Sequence, residues 1–210
     1  KLKELGYDMN EIGQKLAENF VKQILDDAFF HADPHPGNIW IMDGKIAWLD
    51  FGMMGKLTGR DKELFRSAVT AIVNNDIYQL KNVFLTLGTA KQPIDHALLY
   101  TDVDEMVSRY GNLELGNMNL GVVFQEFMHV ANKHHILLPQ SVTMLGRGVM
   151  TIEGVLRFCA PDINLLQILA THMSNEFFRN LDWNKELKRT GKGIYTILNK
   201  VAVIPSQLSD

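Results

Sequence analysis

The chain has 210 residues, 46% of them apolar, and a net charge of -3, enough for one sizeable core. The balanced charge and the lack of a basic stripe with interleaved aromatics exclude nucleic acid as an expected partner. A single cysteine, Cys159, excludes an internal disulfide framework and points to a reducing, cytoplasmic setting.

No apolar run reaches the roughly 20 residues that span a bilayer, and no charged-then-apolar leader opens the chain. Because it starts at Lys1 and stops in "PSQLSD", it is read as a soluble piece of something longer.

The first element is a helix over 8–30. Asp8 stands three residues before Glu11, a capping-box spacing, and Ile12, Leu16, Phe20, Ile24 and Ala28 recur at helical intervals. Over 31–52 the period changes. "NIWIM" and "KIAWL" are short apolar runs joined by Asp43-Gly44, a dipeptide suited to positive φ at both turn positions, so a β-hairpin is expected there. After Gly55 the pattern is helical over about 58–73, 76–87, 95–110, 119–135, 140–159, 163–180 and 185–203, broken by Gly, Pro, Asn and Asp. The expected fold is mostly α with one short β-hairpin. With no repeat, low-complexity tract or linker, 1–210 reads as a single unit.

The stretch "FFHADPHPGNIWIMDGKIAWLDFGMMG", residues 29–55, carries the chemistry. Phosphoryl transfer from a nucleotide needs a carboxylate near the attacking oxygen and oxygen ligands that place magnesium against the phosphates. His31-Ala32-Asp33, Asn38 at the fifth position after Asp33, the hairpin, and Asp50-Phe51-Gly52 follow one another in protein-kinase order. The competing reading takes His31, Asp33 and His35 as zinc ligands of a metallohydrolase. It needs further ligands near strand ends, whereas His96, His129, His134, His135 and His172 fall on or beside helices.

"FFHADPHPGNI" followed by "LDFGMMG" closely resembles the UbiB/ADCK family of atypical kinases, and "LPQSVTMLGRGVMTIEGVLRFCAPDIN" resembles the helices after the active site there. The resemblance implies a protein-kinase-like C-lobe, Mg2+ and ATP as ligands of the intact protein, and a tie to isoprenoid-quinone (ubiquinone-type) lipid biosynthesis at a membrane. It implies that Asp33 is the catalytic aspartate and that Asn38 and Asp50 are the magnesium ligands. His31 then orients the loop and Gly52 gives it flexibility. The role of His35, where ordinary protein kinases carry a phosphate-meeting lysine, is left open. His31 itself is read as a structural group under the loop, and Pro34 and Pro36 as stiffeners.

Only a handful of residues separate Gly52 from the helix expected near Thr58, and no "APE" anchor appears. A small-molecule or lipid acceptor, or water, therefore fits better than a peptide. Only 30 residues precede His31 and they read as helix, so the N-lobe, with its lysine and nucleotide loop, is expected to be absent from this chain. The fragment alone is then expected to bind nucleotide weakly without turnover, and its exposed N-lobe face to favour self-association. "WNKELKRTGKGIYTILNKVAVI" mixes basic and apolar residues and is a candidate membrane-surface segment. Met53, Met54, Met144 and Met150 are read as core filling. Two further readings stand: a catalytically weak kinase-like module that binds lipid or a biosynthetic partner, and a phosphotransferase of the aminoglycoside-kinase type.

Overall fold

The computed structural model of the chain describes residues 2–110, 113 and 117–180. It divides into two units, 1–173 and 174–210, and the first contains every residue of the candidate site. The segment expected to be helical over 185–203 lies outside the described residues, as does the whole of the basic, apolar-mixed tail.

Helix α1 (Met9–Leu25) starts where the capping residue predicts: the Asp8 carboxylate accepts from the backbone N–H groups of Asn10 and Glu11. It ends sooner than the expected residue 30. Asp26 closes it, Ala28 takes a left-handed φ of 51°, and Phe29–His31 is a strand, β1. Local periodicity carries through Ala28, but β1 finds its partner 25 or so residues away in β4 (Met54–Lys56), with Phe30 opposite Gly55. That pairing outweighs helix propensity.

The hairpin forms as expected from β2 (Ile39–Met42) and β3 (Lys45–Trp48). Asp43 and Gly44 have φ of 50° and 69°, the two positive values that match the twist of the paired strands. Lys15 of α1 donates to the Gly44 carbonyl at 3.0 Å and holds the turn against the helix.

Among the described residues six helices follow: α2 (Gly59–Val73), α3 (Ile77–Leu87), α4 (His96–Tyr110), α5 (Leu120–Lys133), α6 (Gln140–Cys159) and α7 (Leu165–Asn180). Thr58, Asp76 and Asn119 cap α2, α3 and α5 through side-chain oxygens. Two of the expected breaks pair with each other as β5 (Thr89–Ala90) and β6 (Ile136–Leu137), so the described residues hold two strand pairs besides the hairpin.

The core of the first unit runs from α1 (Phe20, Ile24, Leu25) through α3 (Leu80, Phe84) to α6 (Val149, Ile152), all buried. Phe84 stacks on Phe127 of α5 with ring centroids 4.1 Å apart. Met53 and Met144 pack against this core as expected. Among the described residues, no helix is long and apolar enough to cross a membrane.

Candidate phosphoryl-transfer site

Two loops, 32–38 and 49–53, carry the residues singled out in the sequence, and the β1–β4 pair brings them together. His31 sits opposite Met54, and the Ala32 N–H donates to the Met53 carbonyl at 3.0 Å, so both loops leave the ladder at the same end. Close packing requires a glycine here, because a Cβ on Gly55 would lie 2.1 Å from Phe30 Cζ.

His31 fastens the two loops to each other. Its Nδ1 accepts from the Asp33 N–H at 3.2 Å, which makes Nε2 the ring donor, and Nε2 meets the Leu49 carbonyl at 2.9 Å. The ring is buried, 1% exposed, and stacks on Trp48 with centroids 5.5 Å apart. Its backbone N–H donates to Gln23 Oε1, Gln23 Nε2 donates to Asn19 Oδ1, and Asn19 Oδ1 also accepts from the Trp48 indole. Asn19 and Gln23, four apart on α1, therefore brace the histidine from below. Sequence reading passed over them; the signal was a polar i,i+4 pair on the otherwise apolar face of a helix leading into the motif.

Asp33 is half-buried. Its Oδ1 lies 4.0 Å from the Arg147 guanidinium of α6 and its Oδ2 3.9 Å from His35 Nε2. His35 Nδ1 accepts from the Gly37 N–H at 3.0 Å, capping a short 3-10 turn, Pro36–Asn38. Asn38 is buried. Its side-chain nitrogen donates to the Asp33 carbonyl at 3.1 Å, which turns the amide oxygen the other way, and its own carbonyl accepts from the Leu49 N–H.

Asp50 has a φ of 50°, a left-handed conformation that costs on the order of 1–3 kcal/mol in a non-glycine residue and that aspartate tolerates better than most. Its Oδ1 accepts from the Gly52 N–H at 3.2 Å, which holds the side chain across the turn.

The donor set suits magnesium. Asn38 and Asp50 offer amide and carboxylate oxygens, the hard ligands this ion takes, and magnesium completes its shell with water and a nucleotide's phosphates rather than an all-protein cage. A zinc site built on His31, Asp33 and His35 is a poor fit, because both ring nitrogens of His31 are already engaged by the protein backbone. Among the described residues, no group of three or more His, Cys, Asp and Glu side chains is arranged to hold a metal. Of the other histidines, His134 is buried against Asp102 at 2.6 Å and His172 meets Asp26 at 2.8 Å. Burial pushes the Cys159 thiol up, away from the thiolate a nucleophile needs.

Two family models match the chain. The ABC1 atypical kinase-like domain covers residues 1–84, which hold both loops, and the UbiB helical domain covers 103–164, which hold α5 and α6. The chain belongs to the ABC1/UbiB family of atypical kinase-like proteins. Relatives in this family include an uncharacterized protein from the hydrogenase 1 5' region of Clostridium pasteurianum, 32% identical over 89% of this chain and 36% of its own length. The Arabidopsis thaliana chloroplastic protein Activity of BC1 Complex Kinase 1 is 29% identical over 80% of this chain and 25% of its own. A probable protein kinase UbiB of Shewanella woodyi is 28% identical over 79% and 31% respectively. The ABC1/UbiB chain described here thus spans about a quarter to two fifths of the length of the curated relatives it matches.

Arg147, beside Asp33, is a further residue that sequence reading did not single out. It lies 114 positions after Asp33 in a helix that reads as ordinary core. The available signal was a charged residue between two glycines, Gly146 and Gly148.

Proposed function

We propose that this chain forms the C-lobe portion of an atypical kinase or ATPase that uses magnesium ATP. The acceptor is a small-molecule or lipid hydroxyl, or water. As the acceptor oxygen bonds to the terminal phosphorus, the bond from that phosphorus to the bridging oxygen of ADP breaks and ADP leaves with the electron pair. Asp33 takes the proton the acceptor hydroxyl gives up. Asn38 and Asp50 would hold the magnesium, which neutralises charge on the phosphates. His31 sets the spacing between the Asp33 loop and the Asp50 loop.

The single observation that carries this reading is the double fastening of those loops, by the β1–β4 ladder and by His31. Loops drawn together only by packing could drift by the ångström that in-line transfer does not tolerate. Short spacing supports the acceptor class: β4 and the Thr58 cap follow Gly52 directly, leaving little chain for a peptide-holding segment. The name of the Shewanella relative and the resemblance to UbiB proteins support a role in ubiquinone-type lipid biosynthesis. Trp40, Met42 and Phe51 are exposed, which supports a covering partner over the hairpin and the Asp50 loop, either a nucleotide lobe or a second copy.

The test is Asp50→Asn in the full-length protein that carries this chain. The amide keeps the shape and deletes the charge, so magnesium-dependent ATP turnover should fall about 100- to 1,000-fold while the circular dichroism spectrum is unchanged. Turnover within a few-fold of the parent would remove Asp50 from the site.

A further inference from the structure

The loop that holds Asp33 and Asn38 contains no lysine or arginine between His31 and Asn38. A phosphoryl group crossing to an acceptor spreads negative charge over its outer oxygens, and a kinase-like site needs a cation there besides the metal. His35 is ill-suited to this, because its Nδ1 is committed to the Gly37 N–H and an imidazole is charged only when protonated. Arg147 is differently placed. Its guanidinium pairs with the Asp33 carboxylate across 4.0 Å without a hydrogen bond, and its side chain is 56% exposed to solvent.

What fixes Arg147 there is the glycine on either side of it. A Cβ on Gly146 would lie 2.1 Å from the Phe124 ring, so α6 presses on α5 at that point. A Cβ on Gly148 would lie 3.1 Å from the His31 carbonyl oxygen and 3.2 Å from Phe20 Cζ, so the opposite side of the same turn presses on the backbone of the Asp33 loop. The helix is pinned to both neighbours at the residue between them, while the long side chain of that residue is left in solvent. A purely structural arginine would be expected to spend its five donors on carbonyls or a carboxylate at close range.

Resting on the phosphoryl-transfer reading above, we propose that Arg147 is the residue that contacts the oxygens of the transferred phosphoryl group, reaching across from α6 to supply the charge that the Asp33 loop lacks. A guanidinium keeps its charge at any physiological pH and can take two phosphoryl oxygens in parallel hydrogen bonds. Its place beside Asp33 puts it next to the acceptor oxygen, where charge builds up in the transition state rather than in bound ATP.

The test uses Arg147→Gln and Arg147→Lys in the full-length protein, with two readouts. In magnesium-dependent ATP turnover, Arg147→Gln should lower kcat about 100- to 1,000-fold with KM for ATP within about threefold, and Arg147→Lys should recover part of the loss. In calorimetry with ADP and magnesium, with and without aluminium fluoride as a mimic of the group in flight, Arg147→Gln should weaken binding only when the fluoride is present. A kcat within threefold of the parent overturns the assignment, and so does equal weakening of ADP with and without fluoride. Asp50→Asn, run in parallel, separates the two failures. If the parent has no magnesium-dependent turnover, or Asp50→Asn keeps it, the reading of the site falls and the assignment of Arg147 with it. If Asp50→Asn is dead and Arg147→Gln is active, only Arg147 is wrongly placed.

Discussion

Replacing His31 with phenylalanine isolates what the two ring hydrogen bonds contribute. Phenylalanine keeps a flat ring of similar size against Trp48, so the stack survives, but the Asp33 N–H and the Leu49 carbonyl lose their partners. A buried polar group left unpaired costs about 1–3 kcal/mol. Both groups belong to half-buried residues at the loop edge, where water reaches, so the lower end of that range applies to each and the sum is about 2 kcal/mol. His31→Ala should cost more, since it adds a cavity under a ring that is 1% exposed. Urea unfolding of the parent and both variants, followed by far-ultraviolet circular dichroism, gives the ranking. Hydrogen exchange at the Asp33 amide gives the local effect, and its protection should drop in both variants. A His31→Phe variant within about 0.5 kcal/mol of the parent, with the Asp33 amide still protected, would show that the histidine does not fasten the loops.

The glycines supply a paired prediction. Gly55→Ala should destabilise by about 1–3 kcal/mol because its Cβ would overlap the buried Phe30 ring, whereas Gly154→Ala, in α6 with nothing within 4 Å of the added carbon, should stabilise by up to about 1 kcal/mol; thermal melts of the two should move in opposite directions. Glu153 supplies a pH test. It accepts from the Leu120 and Gly121 N–H groups at 2.7 Å each, yet burial holds its carboxyl above the ordinary 4.5, against the pull of those N–H groups and of Arg157. Between 4.5 and the raised value the folded chain keeps a proton that the unfolded chain has lost. The stability this group contributes is therefore complete below 4.5 and falls as pH rises through that window. Urea unfolding from about pH 4 to pH 7 should show the parent losing ground to Glu153→Gln as pH rises, and a constant difference across the range would contradict the burial effect.

Much of the molecule was legible without coordinates because it depends on short-range chemistry. The capping spacing at Asp8 and the breaks at Gly, Pro, Asn and Asp mark the helix starts within a residue or two, since a capping side chain acts on N–H groups two or three residues on. The Asp43-Gly44 turn is local in the same sense: two residues with positive φ set the hairpin register by themselves. The order and spacing of His31, Asp33, Asn38 and Asp50 also lie within 20 residues, which is why a motif could carry them. The sequence alone therefore determined the helical class, the hairpin and the position of the candidate site along the chain.

Tertiary structure decided what depends on partners distant in sequence. The end of α1 at Leu25 instead of 30 follows from β1 pairing with β4, and no periodicity in 8–30 contains that partner. The β5–β6 pair joins two stretches that each read only as a break. The polar brace of Asn19 and Gln23 gains its meaning only when His31 and Trp48 lie above it. Arg147 reaches Asp33 from 114 residues away because Gly146 and Gly148 let α6 approach two neighbours at once. Caps and turns act over a few bonds and leave their mark in the local sequence, whereas strand pairing, close helix approach and charge placement are set by which surfaces meet once the chain has closed its loops.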